Sequence, residues 1–544
     1  MAIMPSCAAF LRMRCRWVRP EYGRQSLGSL TGMDEKKLEE LDRRRSEARA
    51  MGSQKARDRL AAEGKLDARA RLEVLFDPGT FHEIGLLARS QHEDLADRTP
   101  ADGLVAGWGE VDGRKVYVTS EDASVLGGTR GRVAEAKAFR IRELALQHKC
   151  PYVALMEAGA GRFQENNGAI AAGIGRRFGE HYKLSGRVPQ VAAIMGSCFG
   201  GPSFTAAQSD FVSIVDGSGF MGMSGPKVVK VGIGQDVTPD EIGGAEISVR
   251  QTGQVSHRAA DDVASLQAIR TFLSFLPSNC DELPPRSEYR HAPCETAEGR
   301  RQIADLVPDS SRRAYSMKRL VELICDGGEF FPYCEEFGPS LITCWARMEG
   351  RAVGFVATEP MKGAGALDEK AAIKARKFVD ICNAFHIPLI FLTDCPGFIV
   401  GPKIEQHRMV SLAARLLNSV IAADVPKVTV IVRKAIGLAY LALGGKAMNP
   451  DLLVGWPTSQ FDIMGTAAGV ELVHGKRIAA ADDPDALRRS LVEAAEGEAE
   501  GYRAAEAGLI DDIIRPEETR EVICEALDRA CKVQRAGFKQ RIDP

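Results

Sequence analysis

At 544 residues, with 45% hydrophobic and 26% charged side chains, the chain has enough apolar material for two or more cores. A formal net charge of −2 gives no electrostatic reason for a nucleic acid or an anionic membrane as partner, and no apolar run reaches the ~18–20 residues of a bilayer crossing. The 13 cysteines form no C-x-x-C pair and no metal-like spacing, which fits small buried side chains in a reducing compartment.

Residues 1–33 stand apart. They hold Arg12, Arg14, Arg16, Arg19 and Arg24, no lysine, and Glu21 as the one acid. That composition fits a mitochondrial-type presequence and equally an upstream extension of a start at Met33. The stretch is set aside as a basic extension open to disorder. The Ala/Gly/Arg-rich body suits a bacterial cytoplasm, and the mitochondrial matrix follows only if the presequence is real.

Residues 33–59 are charged and helix-favouring, with Leu38, Leu41 and Ala48 as a thin apolar stripe suited to packing against another subunit. Residues 64–79 read as a short helix closed by Asp77-Pro78-Gly79, and 105–109 with 115–119 as strands about an Asp112-Gly113 hairpin turn. An amphipathic helix over 134–148 and a buried strand over 152–156 lead into the loop Gly159-Ala160-Gly161-Arg162. The Pro-led, β-branched run from Val188 predicts another buried strand, ending in the turn Gly200-Gly201 before a helix. Strands over 211–215 and 219–223 follow, and the Pro-rich stretch 277–300 predicts a linker. Beyond it the order repeats. A helix over 316–325, strands over 341–348 and 352–358, a helix over 368–385 and a strand over 388–393 precede the loop Asp394-Cys395-Pro396-Gly397-Phe398. A second Pro-led run from Val425 ends at Ile436-Gly437-Leu438, and the Ala/Glu-rich 493–500 predicts exposed helix or loop.

The repetition has a fixed period. Pro151 to Pro388, Pro189 to Pro426, Gly128 to Gly365 and Gly200 to Gly437 are each 237 positions. Phe220-Met221-Gly222 meets Ile463-Met464-Gly465 at 243, and Asp77 to Phe81 parallels Asp326 to Phe330 at 249. Alternating strands and helices with short turns give α/β layering, and the period predicts one structural unit used twice. A Gly turn after a buried strand can aim backbone N–H groups at an oxygen that gains negative charge, and the period repeats that turn.

These residues resemble a known family. Gly64-Lys65-Leu66, Leu75-Phe76-Asp77-Pro78-Gly79, Arg162-Phe163-Gln164-Glu165, Met195-Gly196-Ser197-Cys198, Gly225-Pro226-Lys227, Glu241-Ile242-Gly243-Gly244, Pro396-Gly397-Phe398 and Val425-Pro426-Lys427 stand in the order found in the carboxyltransferase (β) subunits of biotin-dependent acyl-CoA carboxylases, the propionyl-CoA and methylcrotonyl-CoA carboxylase group. The resemblance implies two tandem crotonase-like domains of β-β-α spiral units, at 34–291 and 295–535. It implies transfer of CO2 from carboxybiotin to the α (or vinylogous) carbon of an acyl-CoA. The biotin would be carried by a biotin carboxylase or biotin carboxyl carrier partner, with no metal, in a homo-oligomer (a dimer of trimers) without nucleic acid or membrane insertion. Oxyanion donors would be the backbone of Gly200, Gly201, Gly437, Leu438 and Ala439. Gly159, Ala160, Gly161, Arg162, Phe398, Tyr440 and Leu441 would line the acyl and biotin pocket.

Departures narrow the reading. Pro202 follows the first glycine pair and has no N–H, whereas Leu438 replaces a usual glycine but keeps its own. Leu441 stands where propionyl-type enzymes carry an aspartate, which argues against a propionyl-CoA assignment. His257 and His407 read as structural, Cys198 as packing, and the Arg162–Glu165 region as loop architecture ahead of a CoA contact. Met361-Lys362-Gly363 lacks the second methionine of a biotinyl site, and no phosphate loop occurs, so biotin and ATP chemistry fall to a partner. The competing readings are a biotin-dependent acyl-CoA decarboxylase subunit and a non-catalytic paralogue. A crotonase-type hydratase is weaker, since no paired carboxylates flank the turns.

Overall fold

The computed structural model describes residues 35–308, 310 and 313–544, and the basic extension lies outside them. Residues 1–47 count as a unit apart from 48–544; its described part belongs to the helix Glu35–Ala50, laced by Arg43–Glu40 and Arg44–Glu40 pairs at 2.7 and 2.6 Å. Exposed pairs at this spacing contribute ~0.3–0.5 kcal/mol each, enough to favour a polar helix locally.

Residues 48–544 carry two eight-stranded sheets. The first contains β1 (His82–Glu83), β2 (Leu104–Val111), β3 (Arg114–Glu121), β4 (Tyr152–Ala158), β5 (Gln190–Phe199), β6 (Phe211–Val215), β7 (Phe220–Gly222) and β8 (His257–Ala259). The second contains β9 (Phe330–Pro332), β10 (Leu341–Met348), β11 (Arg351–Thr358), β12 (Leu389–Cys395), β13 (Lys427–Ile436), β14 (Leu452–Gly455), β15 (Gln460–Asp462) and β16 (Asp512–Ile513). Their orders match: β1-β2-β3-β4-β5-β6-β8 with β7 beside β5, and β9-β10-β11-β12-β13-β14-β16 with β15 beside β13. In each the opening three strands are antiparallel and the rest parallel. Residues of β4 and β12 are buried throughout, as a parallel strand covered on both faces requires.

The duplication extends to side chains. Trp108 pairs with Tyr117 as Trp345 pairs with Gly354, which is the 237 period. His82 opposes Trp108 as Phe331 opposes Trp345, which is the 249 period. The Gly113 N–H donates to Asp77 at 2.9 Å and the Gly350 N–H to Asp326 at 2.7 Å, so one aspartate closes each hairpin. Lys137 donates to the Leu104 carbonyl at 2.5 Å and Lys374 to that of Leu341 at 2.6 Å.

One alignment is corrected. Phe220 opposes Ser197 on β5, and Gln460 opposes Lys434 on β13. Since Ser197 and Lys434 are themselves 237 apart, the equivalent of Phe220 is Gln460, and the offset there is 240, not 243. Ladder register, not the shared Met-Gly letters, decides equivalence. Met223-Ser224-Gly225 is therefore the counterpart of Ile463-Met464-Gly465, with Gly225 and Gly465 each preceding a helix.

A single core joins the repeats. Val118, Val153, Val191 and Phe211 from one sheet share it with Trp345, Leu389 and Phe391 from the other and with Phe378 from the helix Glu369–Ala384. Through it Phe211 stacks on Phe272 at 4.8 Å, Phe272 meets Trp345 edge-on at 5.1 Å, and Trp345 meets Phe378 at 5.0 Å. The Pro-rich stretch expected to be a linker is anchored at its flanks, where Asn279, Cys280, Ala292 and Cys294 are buried and the helix Ala297–Ala304 begins, while residues 281–291 between them form no helix or strand and are mostly exposed. Its prolines shape a path over the body, and its interspersed Cys and Ala anchor it there.

Candidate active site: two glycine turns at the ends of the central strands

Both central strands end in the same way. The first part of β5 pairs with β6 and its last three residues with β7; β13 divides likewise between β14 and β15. The change of partner follows a bulge. Between Met156 and Ala158, β4 advances two residues while β5 advances four, from Ile194 to Cys198, and Thr393/Cys395 against Ile431/Ala435 repeats it. A bulge of this kind bends the strand and opens space at its end.

The turn itself needs glycine. Gly200 has φ 69 and ψ −135, and Gly437 has φ 63, conformations that a side chain rarely tolerates. Each turn opens a short helix, Gly201–Ala207 or Gly437–Ala442. The first amides of a helix have no acceptor within it, so they are available to an outside oxygen. The donor sets differ from the expected ones. The Gly200 N–H is used by the Gly222 carbonyl at 3.2 Å, and Pro202 has none, which leaves Gly201 as the donor of the first turn. In the second, Gly437, Leu438 and Ala439 open the helix, and all three carry an N–H.

A carboxylate braces each strand end. Glu157 and Asp394 are 237 apart, on the last turn-ward residues of β4 and β12. Asp394 binds Arg433 at 2.9 Å and the Lys434 N–H at 3.1 Å. In the first repeat the position of Arg433 is Gly196, whose absent Cβ would stand 2.7 Å from the Glu157 carboxylate. Glu157 reaches instead to Lys65 at 2.8 Å and Arg71 at 2.6 Å, and Arg71 continues to Asp262 at 2.9 Å. Sequence reasoning missed these braces, although the 237 period runs through both carboxylates.

The expected pocket residues divide. Ala160 meets the first turn, its Cβ 3.2 Å from where one on Gly200 would stand, and Gly159 faces the Phe199 ring. Arg162 turns inward. Its guanidinium is 2% exposed and bonded to Asp102 at 2.7 Å, Glu165 at 2.6 Å and the Thr129 carbonyl at 2.9 Å, so only its backbone can line a pocket. Burial works against ionised Glu165, but the Arg132 N–H, Arg162 and Ser90 outweigh it and hold its pKa down. Glu165 is thus loop architecture. Gly161 bridges to Arg130, and Phe398 to Leu367 in the equivalent place. Phe398 and Leu441 pack against the shared core, and Tyr440 accepts the Lys446 N–H at 3.0 Å while lying edge-on to Phe461. His257 packs among Phe211 and Phe331, His407 pairs with Glu369 at 3.1 Å, and burial pushes the Cys198 thiol up, away from nucleophilic use. Among the described residues no helix is long and apolar enough to cross a membrane.

Two spiral α/β units sharing a core, each with a glycine turn at the end of its central strand, define a crotonase-type carboxyltransferase fold. The carboxyl transferase domain matches residues 59–542, and the chain belongs to that family. It is 37% identical to a propionyl-CoA carboxylase beta chain from Roseobacter denitrificans, over 90% of this chain and 95% of that one. It is 38% identical to a biotin-dependent long chain acyl-coenzyme A carboxylase beta4 subunit from Mycobacterium tuberculosis, over 90% and 94%. Among solved structures it resembles the transcarboxylase 12S hexamer with methylmalonyl-coenzyme A bound, at TM-score 0.87 and 34% identity, covering 95% of this chain and all of that one.

Proposed function

We propose that the chain is the carboxyltransferase subunit of a biotin-dependent acyl-CoA carboxylase, moving CO2 to the α or vinylogous carbon of an acyl-CoA. Carboxybiotin on a partner protein supplies the CO2, and the biotin left when CO2 departs takes up the proton that leaves the acyl-CoA carbon. The thioester oxygen gains charge as that proton leaves, and the biotin ureido oxygen gains charge as CO2 departs. The observation that carries the reading is the pair of equivalent glycine turns, with Gly201 as donor in one and the amides of Gly437, Leu438 and Ala439 in the other. Loss of one such donor commonly costs ~3–4 kcal/mol of barrier. Ala160 and Gly159 over the first turn, and Phe398, Tyr440 and Leu441 beside the second, are the walls of this site.

The active assembly is a homo-oligomer, in which a second copy closes each site. Large apolar side chains beside both turns support this: Met223 and Val231 are 75% and 88% exposed near the first, and Ile463 and Leu472 are 83% and 74% exposed near the second. Such a density of exposed apolar groups is costly in an isolated chain. The domain limits stand as 34–291 and 295–535.

The test is to purify the protein with its native partner, identify the biotinylated subunit, and follow labelled bicarbonate into acyl-CoAs of short, branched and long chain. ATP-dependent carboxylation of at least one is expected. A partner with membrane helices and sodium-coupled decarboxylation would instead favour the decarboxylase, a reading supported by 35% identity to the methylmalonyl-CoA decarboxylase subunit alpha of Propionigenium modestum. No transfer with any acyl-CoA in the complete assembly would overturn both.

A further inference from the structure

The two turns differ in what stands behind them. Gly201 and Leu438 are equivalent positions, 237 apart. Leu438 has a side chain of its own, 65% exposed. At Gly201 that space holds the guanidinium of Arg177, with Nη1 3.1 Å and Cζ 3.3 Å from where a Cβ would stand. Arg177 lies on the helix Arg176–Leu184, which is fixed against the helix of the first turn by Phe178 meeting Phe204 edge-on at 5.2 Å. Nη2 donates to Glu135 at 2.5 Å, and Glu135 also holds Arg142 at 3.2 Å and Arg130 at 3.4 Å. Nη1 is buried and makes no hydrogen bond among the described residues.

The charged groups facing this guanidinium are Arg130 from the loop before the helix Arg132–His148, Glu135 and Arg142 from that helix, and Glu121 from β3. On its own helix stand Glu180, which pairs with Arg142 at 2.7 Å, and His181, whose pKa burial and then Arg142 push down to about 3. Burial, then Arg130, lower Arg177 to about 10, so it stays cationic at neutral pH. Glu135 already pairs with this largely buried cation through Nη2, and the donor left on Nη1 is costly unless an acceptor comes near it.

We propose that Arg177 is a positioning residue of the first turn, which through Gly201 holds the donor amide in place and sets a fixed positive charge behind the reacting oxygen. The inference rests on the carboxyltransferase reading. With the charges taken as roughly 6 Å apart and an effective dielectric near 20, removing the cation corresponds to roughly 100-fold in rate. The neutral acyl-CoA ground state gains little from it, so affinity should hardly change.

The experiment compares Arg177→Met and Arg177→Lys with the unmodified protein in the complete assembly, reading kcat, acyl-CoA affinity by calorimetry, and the pH profile. Arg177→Met should lower kcat by roughly 30–100-fold and leave affinity within about threefold. Arg177→Lys should keep most of kcat near pH 7 and lose it as pH rises through about 8 to 9, because a buried lysine releases its proton early. Lys137 and Lys374, both buried, are lowered to about 8 in this protein. The unmodified protein should show no such fall below about 10. Should Arg177→Met fail to assemble, the alkaline fall in Arg177→Lys still decides the matter. Equal turnover in all three proteins, or a Lys variant whose profile follows the unmodified one, would overturn the inference alone. An inactive unmodified assembly would overturn the functional reading beneath it.

Discussion

Leu438→Pro separates a backbone donor from a side chain. Leu438 is the second residue of the helix Gly437–Ala442, where its N–H has no acceptor within the helix. Proline fits the first turn of a helix, and the first repeat already carries Pro202 as the second residue of Gly201–Ala207. The side chain is 65% exposed, so its removal forfeits about a third of a buried leucine's ~1.5–3 kcal/mol, or roughly 0.5–1 kcal/mol of stability. The lost donor costs ~3–4 kcal/mol of barrier if it faces a developing oxyanion, which is roughly 10²–10³-fold in kcat. Leu438→Gly, which keeps the N–H, should retain measurable transfer. Decarboxylation of malonyl- or methylmalonyl-CoA in the presence of free biotin is a convenient reverse assay, with melting and assembly followed in parallel. If Leu438→Pro assembles, melts within a few degrees of the parent and keeps its turnover, that N–H is not a catalytic donor.

Two further outcomes concern the repeated scaffold. Asp326 is buried and binds the Gly350 and Glu349 amides and Arg520, whereas Asp77 is half-exposed and binds the Gly113 amide and Arg270. Asp326→Ala should destabilise by about 3–5 kcal/mol, since it removes one of the two carboxylates paired with the buried Arg520 and leaves the Glu349 and Gly350 amides without their acceptor, and Asp77→Ala by about 1–2 kcal/mol; urea titration of both reads the difference. Burial holds Lys137 and Lys374 at about 8, below the value of a free lysine. Below pH 8 both states are protonated and the burial cost is present in full; between about 8 and 10 the unfolded chain binds more protons, so stability rises with pH. The urea midpoint should climb across that window, and the climb should shrink in Lys374→Met; an unchanged climb would mean that Lys374 does not titrate there.

What the sequence disclosed follows from what kept its spacing. From β2 to β5 and from β10 to β13 no loop changes length, so glycines, prolines and hairpins recur at 237 and the duplicated fold could be read directly. Past the turns the offset becomes 241 at β6 and β14 and 240 at β7 and β15, and a chance Met-Gly match pointed to the wrong register until the β5–β7 and β13–β15 ladders fixed it. The buried anchors at the two ends of 277–300 were hidden because prolines and charges mark an irregular path without telling where it is covered. At the site, the glycine turns were visible as a pattern, but the use of the Gly200 N–H by Gly222 is a tertiary contact with no local signal. Arg162 looked like a pocket residue because its partner Asp102 lies 60 positions away. Arg177 was overlooked because it meets Gly201 only across the packing of two helices.

Single-turnover transfer tests the central claim most directly. The isolated biotinylated partner is loaded with labelled CO2, freed of ATP, and mixed with the protein and a panel of acyl-CoAs. The account predicts that label moves to an acid-stable position on at least one acyl-CoA without ATP, and only when this chain is present. Label that remains on biotin, or leaves as CO2 with every acyl-CoA tried, would contradict it.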